Sequence, residues 1–154
     1  MTPLERGQLW VMRIHGAIAA LVLVAIGIVA ELVLRANVPE VPRGIVLLPL
    51  LVPALWLAFV APGRRFRAWG YALGDEELEV QRGVMIQVHT HVPLGRVQHI
   101  DIAQGPLERA CRVCRLVVHT AGTLHSQVVL PGLARATAEA IRDEIRARIR
   151  REEP

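Results

Sequence analysis

GAIAALVLVAIGIVA, residues 16–30, and GIVLLPLLVPALWLAFVAP, residues 44–62, contain no charged side chain. Leu32, Val33 and Leu34 carry the first run past Glu31. A helix rises about 1.5 Å per residue, so roughly 19–20 residues cross a hydrocarbon core of ~30 Å. Both runs meet that length. A buried helix of a water-soluble protein would show one polar face, and neither run has one. The chain is therefore expected to open with a transmembrane helical hairpin, spans about residues 14–34 and 44–62 within an anchor of residues 1–67. A cleaved signal sequence fits less well, because the first run is too long, lacks a small-residue cleavage site and leaves the second unexplained.

Glu31 and Arg35 stand four apart in acid-before-base order and are expected to mark the end of the first span. Pro49 and Pro53 predict a bent second helix packed on the first. The chain has no lysine, so arginines set the orientation. Arg6, Arg13, Arg64, Arg65 and Arg67 flank the hairpin on one side, and Arg35 and Arg43 lie in the loop between the spans. Five against two places both termini in the cytoplasm by the positive-inside rule, with Trp10 and Trp69 as interfacial aromatics. The expected location is the inner, cytoplasmic membrane, and the first partner is its lipid.

Hydrophobic residues make up 53% of the 154 and mean hydropathy is +0.37, an excess confined to the anchor. Charge divides the same way. Residues 1–67 hold seven arginines against three acids, whereas residues 68–154 hold eleven of each. The basic balance thus belongs to the membrane-flanking segment, where it suits anionic lipid. Nucleic-acid binding would need uncompensated arginines in the second part, and is excluded on that ground.

From residue 68 onward the pattern is short alternating runs: 68–73, 78–81, 85–92, 97–103, 115–120 and 124–130. Six or seven short strands separated by turns predict a small antiparallel barrel or sandwich. After Pro131 and Gly132 the period becomes helical. Ala134, Ala138, Ile141, Ile145 and Ile149 form one stripe, expected to cap an open end of the sheets. Glu139, Asp143 and Glu144 are placed to solvate the arginines on its outer face.

Trp69, Tyr71 and Leu73 with Gly83, then Pro93-Leu94-x-Arg96-Val97-Gln98, Pro106-Leu107-x-Arg109 and Val118-x-Thr120-Ala121-Gly122, follow the order seen in one family. The chain resembles bacterial membrane proteins with a pleckstrin-homology (PH)-like domain, the YdbS-like or DUF304 group. The resemblance implies a cytoplasmic, mainly-β PH-like barrel over residues 68–154, with seven bent strands and a C-terminal capping helix. These proteins carry glycine two or three residues after the second P-L-x-R, where this chain has Arg112. The motif positions are expected to hold the fold. Pro93 and Pro106 end strands, Gly105 and Gly122 allow turns of positive φ, and Arg96 and Arg109 pair with Asp101 or Glu108.

Residues 88–122 also hold four of the six histidines and a C-x-x-C pair, Cys111 and Cys114. A zinc site needs four converging N/S ligands. The second pair would have to be His89 with His91, or His119 with His125. In a reducing compartment a disulfide is disfavoured, and a redox pair would want a strand-to-helix setting. Small buried thiols are the expected reading, with no metal and no cofactor. No Ser-His-Asp set, phosphate loop or H-E-x-x-H motif is present, and the lone serine, Ser126, lies in an alternating run, so no catalytic residue is assigned. The first hairpin loop, Gly74-Asp75-Glu76-Glu77, would repel inositol phosphates. The expected function is a non-enzymatic, membrane-anchored binding module that contacts another protein, with a related PH-like membrane protein as the partner considered. The competing readings are a membrane-tethered metal or redox protein using the Cys/His segment, and a small transporter.

Overall fold

A computed structural model describes residues 1–121 and 127–152. Both apolar runs are helical. The first helix, α1, spans Arg6–Asn37, and the second consists of α2 (Leu47–Leu55), a π-helical turn (Trp56–Val60) and α3 (Ala61–Arg67). Each is long and apolar enough to cross a membrane. Their outward side chains are greasy: Leu21 is 70% exposed, Val52 71% and Phe59 74%. In water such surfaces would be covered, so lipid is the medium that fits them. The π turn begins three residues beyond Pro53, whose missing N–H leaves the Pro49 carbonyl, one turn earlier, without its helical donor.

The chain divides into two compact units, Met12–Arg64 and Met1–Val11 with Arg65–Pro154. Within the first, the helices meet at small residues. A Cβ on Gly16 would lie 2.4 Å from the Leu57 carbonyl oxygen, a backbone approach that needs glycine. Glu31 does more than mark a helix end. Its carboxylate accepts the Gly44 N–H and, at 3.1 Å, the Leu47 N–H, amides at the start of α2 that have no partner inside that helix.

The second unit carries six strands among the described residues. β1 (Gly70–Leu73), β2 (Glu77–Arg82) and β3 (Val88–Pro93) form one antiparallel sheet in that order. β4 (Val97–Ala103), β5 (Cys114–Thr120) and β6 (Gln127–Leu133) form the other. Between β3 and β4 a single 3-10 turn, Leu94–Arg96, carries the chain from sheet to sheet. Each sheet grips it: the Leu94 N–H reaches Glu76 O at 2.9 Å, and Ala121 N–H reaches Arg96 O at 2.9 Å. Leu78, Leu94, Leu116, Leu130, Leu133 and Ile145 are fully buried between the sheets and the last helix. Each such side chain contributes about 1.5–3 kcal/mol.

The seam between β1 and β6 is bridged by the N-terminus, which the sequence had assigned to the anchor. Thr2 exchanges two backbone hydrogen bonds with Tyr71, at 2.7 and 3.1 Å, and the Glu5 N–H donates to Gly132 O at 2.9 Å. Leu4 lies between these contacts in the hydrophobic core. Residues 2–5 thus bridge the two sheets through backbone pairing, with Thr2 in an isolated bridge to Tyr71. By their contacts, the first eleven residues group with the β unit and residues 12–64 form the helical unit.

Other expectations shift locally. Residues 85–87 precede β3 as loop. The last strand continues through Pro131 and Gly132 to Leu133, and residues 124–126 of the expected run lie outside the described residues. Trp69 packs on the core rather than standing free as an interfacial aromatic, whereas Trp10 is exposed. Helix α4 (Pro106–Ala110) occupies the expected strand break. Pro106 sits at its start, where proline costs no hydrogen bond. The terminal helix α5 (Arg135–Glu152) buries Ala138, Ile141 and Ile145 as the stripe predicts.

If residues 2–5 hold the seam, Leu4→Ala lowers stability by about 2–4 kcal/mol, read from unfolding midpoints of the detergent-solubilised chain. Glu5→Ala, at an exposed position, leaves the midpoint nearly unchanged.

Candidate functional site

The cysteines do not converge with the histidines. Cys114 begins β5, is buried, and its Sγ donates to Leu133 O at 3.4 Å. Burial first, and then the nearby Glu108, push its thiol pKa up, which disfavours the thiolate. Both cysteines are free thiols. Among the described residues, no group of three metal-type ligands includes either one. His125 lies outside the described residues.

Two histidine clusters form instead. His99 on β4 and His119 on β5 are register partners, with ring centroids 4.0 Å apart and planes inclined by 15°. Asp101 Oδ2 lies 3.3 Å from His119 Nε2 and 3.8 Å from His99 Nε2. Three donor atoms are close, yet stacking defeats a shared ion. Imidazole lone pairs lie in the ring planes, and nearly parallel planes 4.0 Å apart cannot both meet one ion at the ~2.0–2.1 Å of a zinc–nitrogen bond. In the second cluster, Glu77 and Glu79 on β2 both address Nδ1 of His91 on β3, at 3.1 and 3.4 Å. Two acids competing for one ring nitrogen make a surface ion-pair arrangement, weak in water.

The more useful feature is a cleft of about 280 Å³ along the outer edge of β4. Strand order leaves β4 at the end of its sheet, and α5 forms the opposite wall. Asp101, Ile102 and Gln104 line one side, and Glu139, Arg142 and Arg146 the other. Its charges are nearly balanced. The outer arginines of α5 are salted as expected, Arg135 to Glu139 at 3.0 Å, Arg142 to Asp143 at 2.8 Å and Arg148 to Glu144 at 2.6 Å. Arg148 also donates to Gly74 O and approaches Asp75 at 3.5 Å, tying α5 to the acidic first loop.

The motif positions do not meet in one place. Pro93, Arg96, Gln98 and Thr120 gather at one end of the β4–β5 ladder, while Pro106, Leu107 and Arg109 sit in α4 at the other. Tyr71 and Leu94 are core residues, whereas Arg96, Gln98 and Arg109 are exposed. The expected arginine pairs are absent among the described residues. Asp101 is taken by the two histidines, and Glu108 accepts the Gly105 N–H at 2.6 Å and faces Arg115 at 3.8 Å. Gly105 has φ −78°, so its turn needs no positive φ; Gly122 lies outside the described residues. Arg112, among the described non-glycine residues, alone has positive φ, at 56°. The departure from the family's glycine therefore falls where the backbone is left-handed.

Sequence reading missed the N-terminal seam and the β4–α5 cleft. Leu4 was one apolar residue in a charged segment, and strand order cannot be read from alternation.

A two-span apolar hairpin joined to two bent three-stranded sheets under a terminal helix defines a membrane protein with a PH-like domain. The chain belongs to the bacterial PH domain family, whose pattern it matches over residues 11–149. It is similar to UPF0699 transmembrane protein YdbS of Bacillus subtilis (strain 168), with 34% identity over 98 residues. That match covers 60% of each protein, so the chain spans about 60% of the relative's length. No solved structure matches. The YdbS-like resemblance drawn from the motif order holds.

Two measurements follow. Arg112→Gly relieves the left-handed strain and raises stability by about 1 kcal/mol in equilibrium unfolding. Tyr71 and Cys114 both have raised pKa values, chiefly through burial, with Glu5 adding to the tyrosine's shift. A raised folded-state pKa stabilises fully below the ordinary value, 9.0 for the thiol and 10.0 for the phenol, and that stability is lost as pH climbs through the folded-state value. Stability therefore falls on the alkaline side, and the sole tyrosine ionises late in the folded chain when followed by ultraviolet absorbance. Tyr71→Phe and Cys114→Ala each flatten the decline.

Proposed function

We propose that this chain is a non-enzymatic binding module of the inner membrane, with both termini cytoplasmic and the β unit holding a protein partner at the bilayer. The arginine asymmetry around the spans supports the orientation. The observation that carries the binding reading is the cleft beside β4. A strand at the end of a sheet keeps one row of backbone donors and acceptors for another chain. An extended segment laid along β4 would take its affinity from those groups and its specificity from side chains on the α5 wall. Asp101, Arg142 and Arg146 supply both signs of charge there. A related PH-like membrane protein is a natural partner, because two anchors in one bilayer raise the effective concentration of one domain near the other.

Photo-crosslinking in intact cells tests this reading. A photoreactive side chain in place of Ile102 should give a discrete protein adduct, lost in Arg146→Glu. The same group in place of Asp75, at the far loop, should give none. Equal adducts at both positions, or none at 102, would reject the cleft as the docking surface.

A further inference from the structure

The loop joining β2 to β3 presents an apolar tip. Val84 is exposed, Met85 is 95% exposed and Ile86 78%. Single exposed apolar side chains are ordinary, but three consecutive ones at a loop tip are a liability unless something covers them. The loop is also built, not slack. Gly83 has φ +109°, and a Cβ there would lie 1.9 Å from the Ile86 carbonyl oxygen. Only glycine closes this turn, and the turn drives Met85 and Ile86 outward.

Register shows which end of the sheet the tip occupies. Gly70 pairs with Gln81, so β2 ends where β1 begins. The chain enters β1 from Arg65–Trp69, the segment that follows the second span. A cleft lined by Arg67, Trp69, Gly70 and Gln81 confirms that this entry and the end of β2 are neighbours. The tip therefore projects from the same end of the β unit at which the chain arrives from lipid. Arg82 closes β2 immediately before the turn, and Arg67 lies beside Gln81 at the same end of the sheet; both are exposed, and such charges suit anionic headgroups.

We infer that Met85 and Ile86 enter the acyl-chain boundary of the bilayer, giving the β unit a lipid contact of its own beside the two spans. Apolar side chains with exposed arginines at the same end of the sheet match the chemistry of an interfacial insertion. A protein partner at the tip would leave those arginines without a role. The inference does not depend on which protein occupies the β4 cleft.

The test uses the full chain with Cys111→Ser, the buried Cys114 left in place, and Met85→Cys carrying an environment-sensitive nitrobenzoxadiazole label. The chain is reconstituted in vesicles of phosphatidylcholine and phosphatidylglycerol. The label at 85 should emit at shorter wavelength than one on Asp75→Cys, at the opposite end of the sheet. It should also lose fluorescence when the acyl chains are brominated, and resist quenching by aqueous iodide. Ile86→Cys should behave as position 85 does. Iodide quenching at 85 equal to that at 75 would overturn the inference. So would shielding from iodide without quenching by brominated lipid, which would mean a protein covers the tip.

Discussion

The β unit depends on backbone pairing by a segment that precedes the first span. Two three-stranded sheets leave a seam wherever they are not joined, and unpaired strand edges are both costly and adhesive. At one corner the chain crosses without interruption through Leu94–Arg96. At the other, Thr2 bonds to Tyr71 and Glu5 to Gly132, so one short stretch serves both edges. Leu4 adds apolar burial to that pairing. The order of elements matters here: residues that complete the β unit are made before the spans, and the strands they join come after.

A second constraint governs the hairpin. A carboxylate near the end of an apolar helix is expensive unless hydrogen-bonded. Glu31 is satisfied by amides at the start of α2, which themselves lack helical partners. One side chain thus settles two deficits, the acid's and the helix terminus's. Glycine at position 16 lets the helices approach closely at the open end of the hairpin, against the Leu57 backbone.

Sequence periodicity was a good guide wherever burial set the pattern. The spans, the run 97–103 and the α5 stripe were all legible, because each has a repeat that only one structure satisfies. The N-terminal seam was not, since four residues are too few to show a period and charged neighbours hid Leu4. Residues 85–87 misled for the opposite reason. Met85-Ile86 continues an apolar run that reads as strand, yet Gly83 turns the chain before the strand begins. Cys111, Cys114 and the histidines drew attention through composition alone. Spacing in sequence says nothing about whether lone pairs converge, and the stacked rings of His99 and His119 show that even adjacency is insufficient.

Charge balance then decides how such a domain can choose a partner. The second part of the chain holds as many acids as arginines, and those on α5 are largely paired with each other. Long-range steering is therefore weak, since fields from paired charges cancel within a Debye length of about 8 Å at physiological salt. On the proposed reading, recognition along β4 would come from contact: backbone hydrogen bonds in fixed register, and side chains fitted to the cleft. Such contacts are short-ranged and individually modest, near 1 kcal/mol each. For such a partner, tethering to the bilayer would compensate, because it supplies by confinement the encounter frequency that electrostatic attraction would otherwise provide.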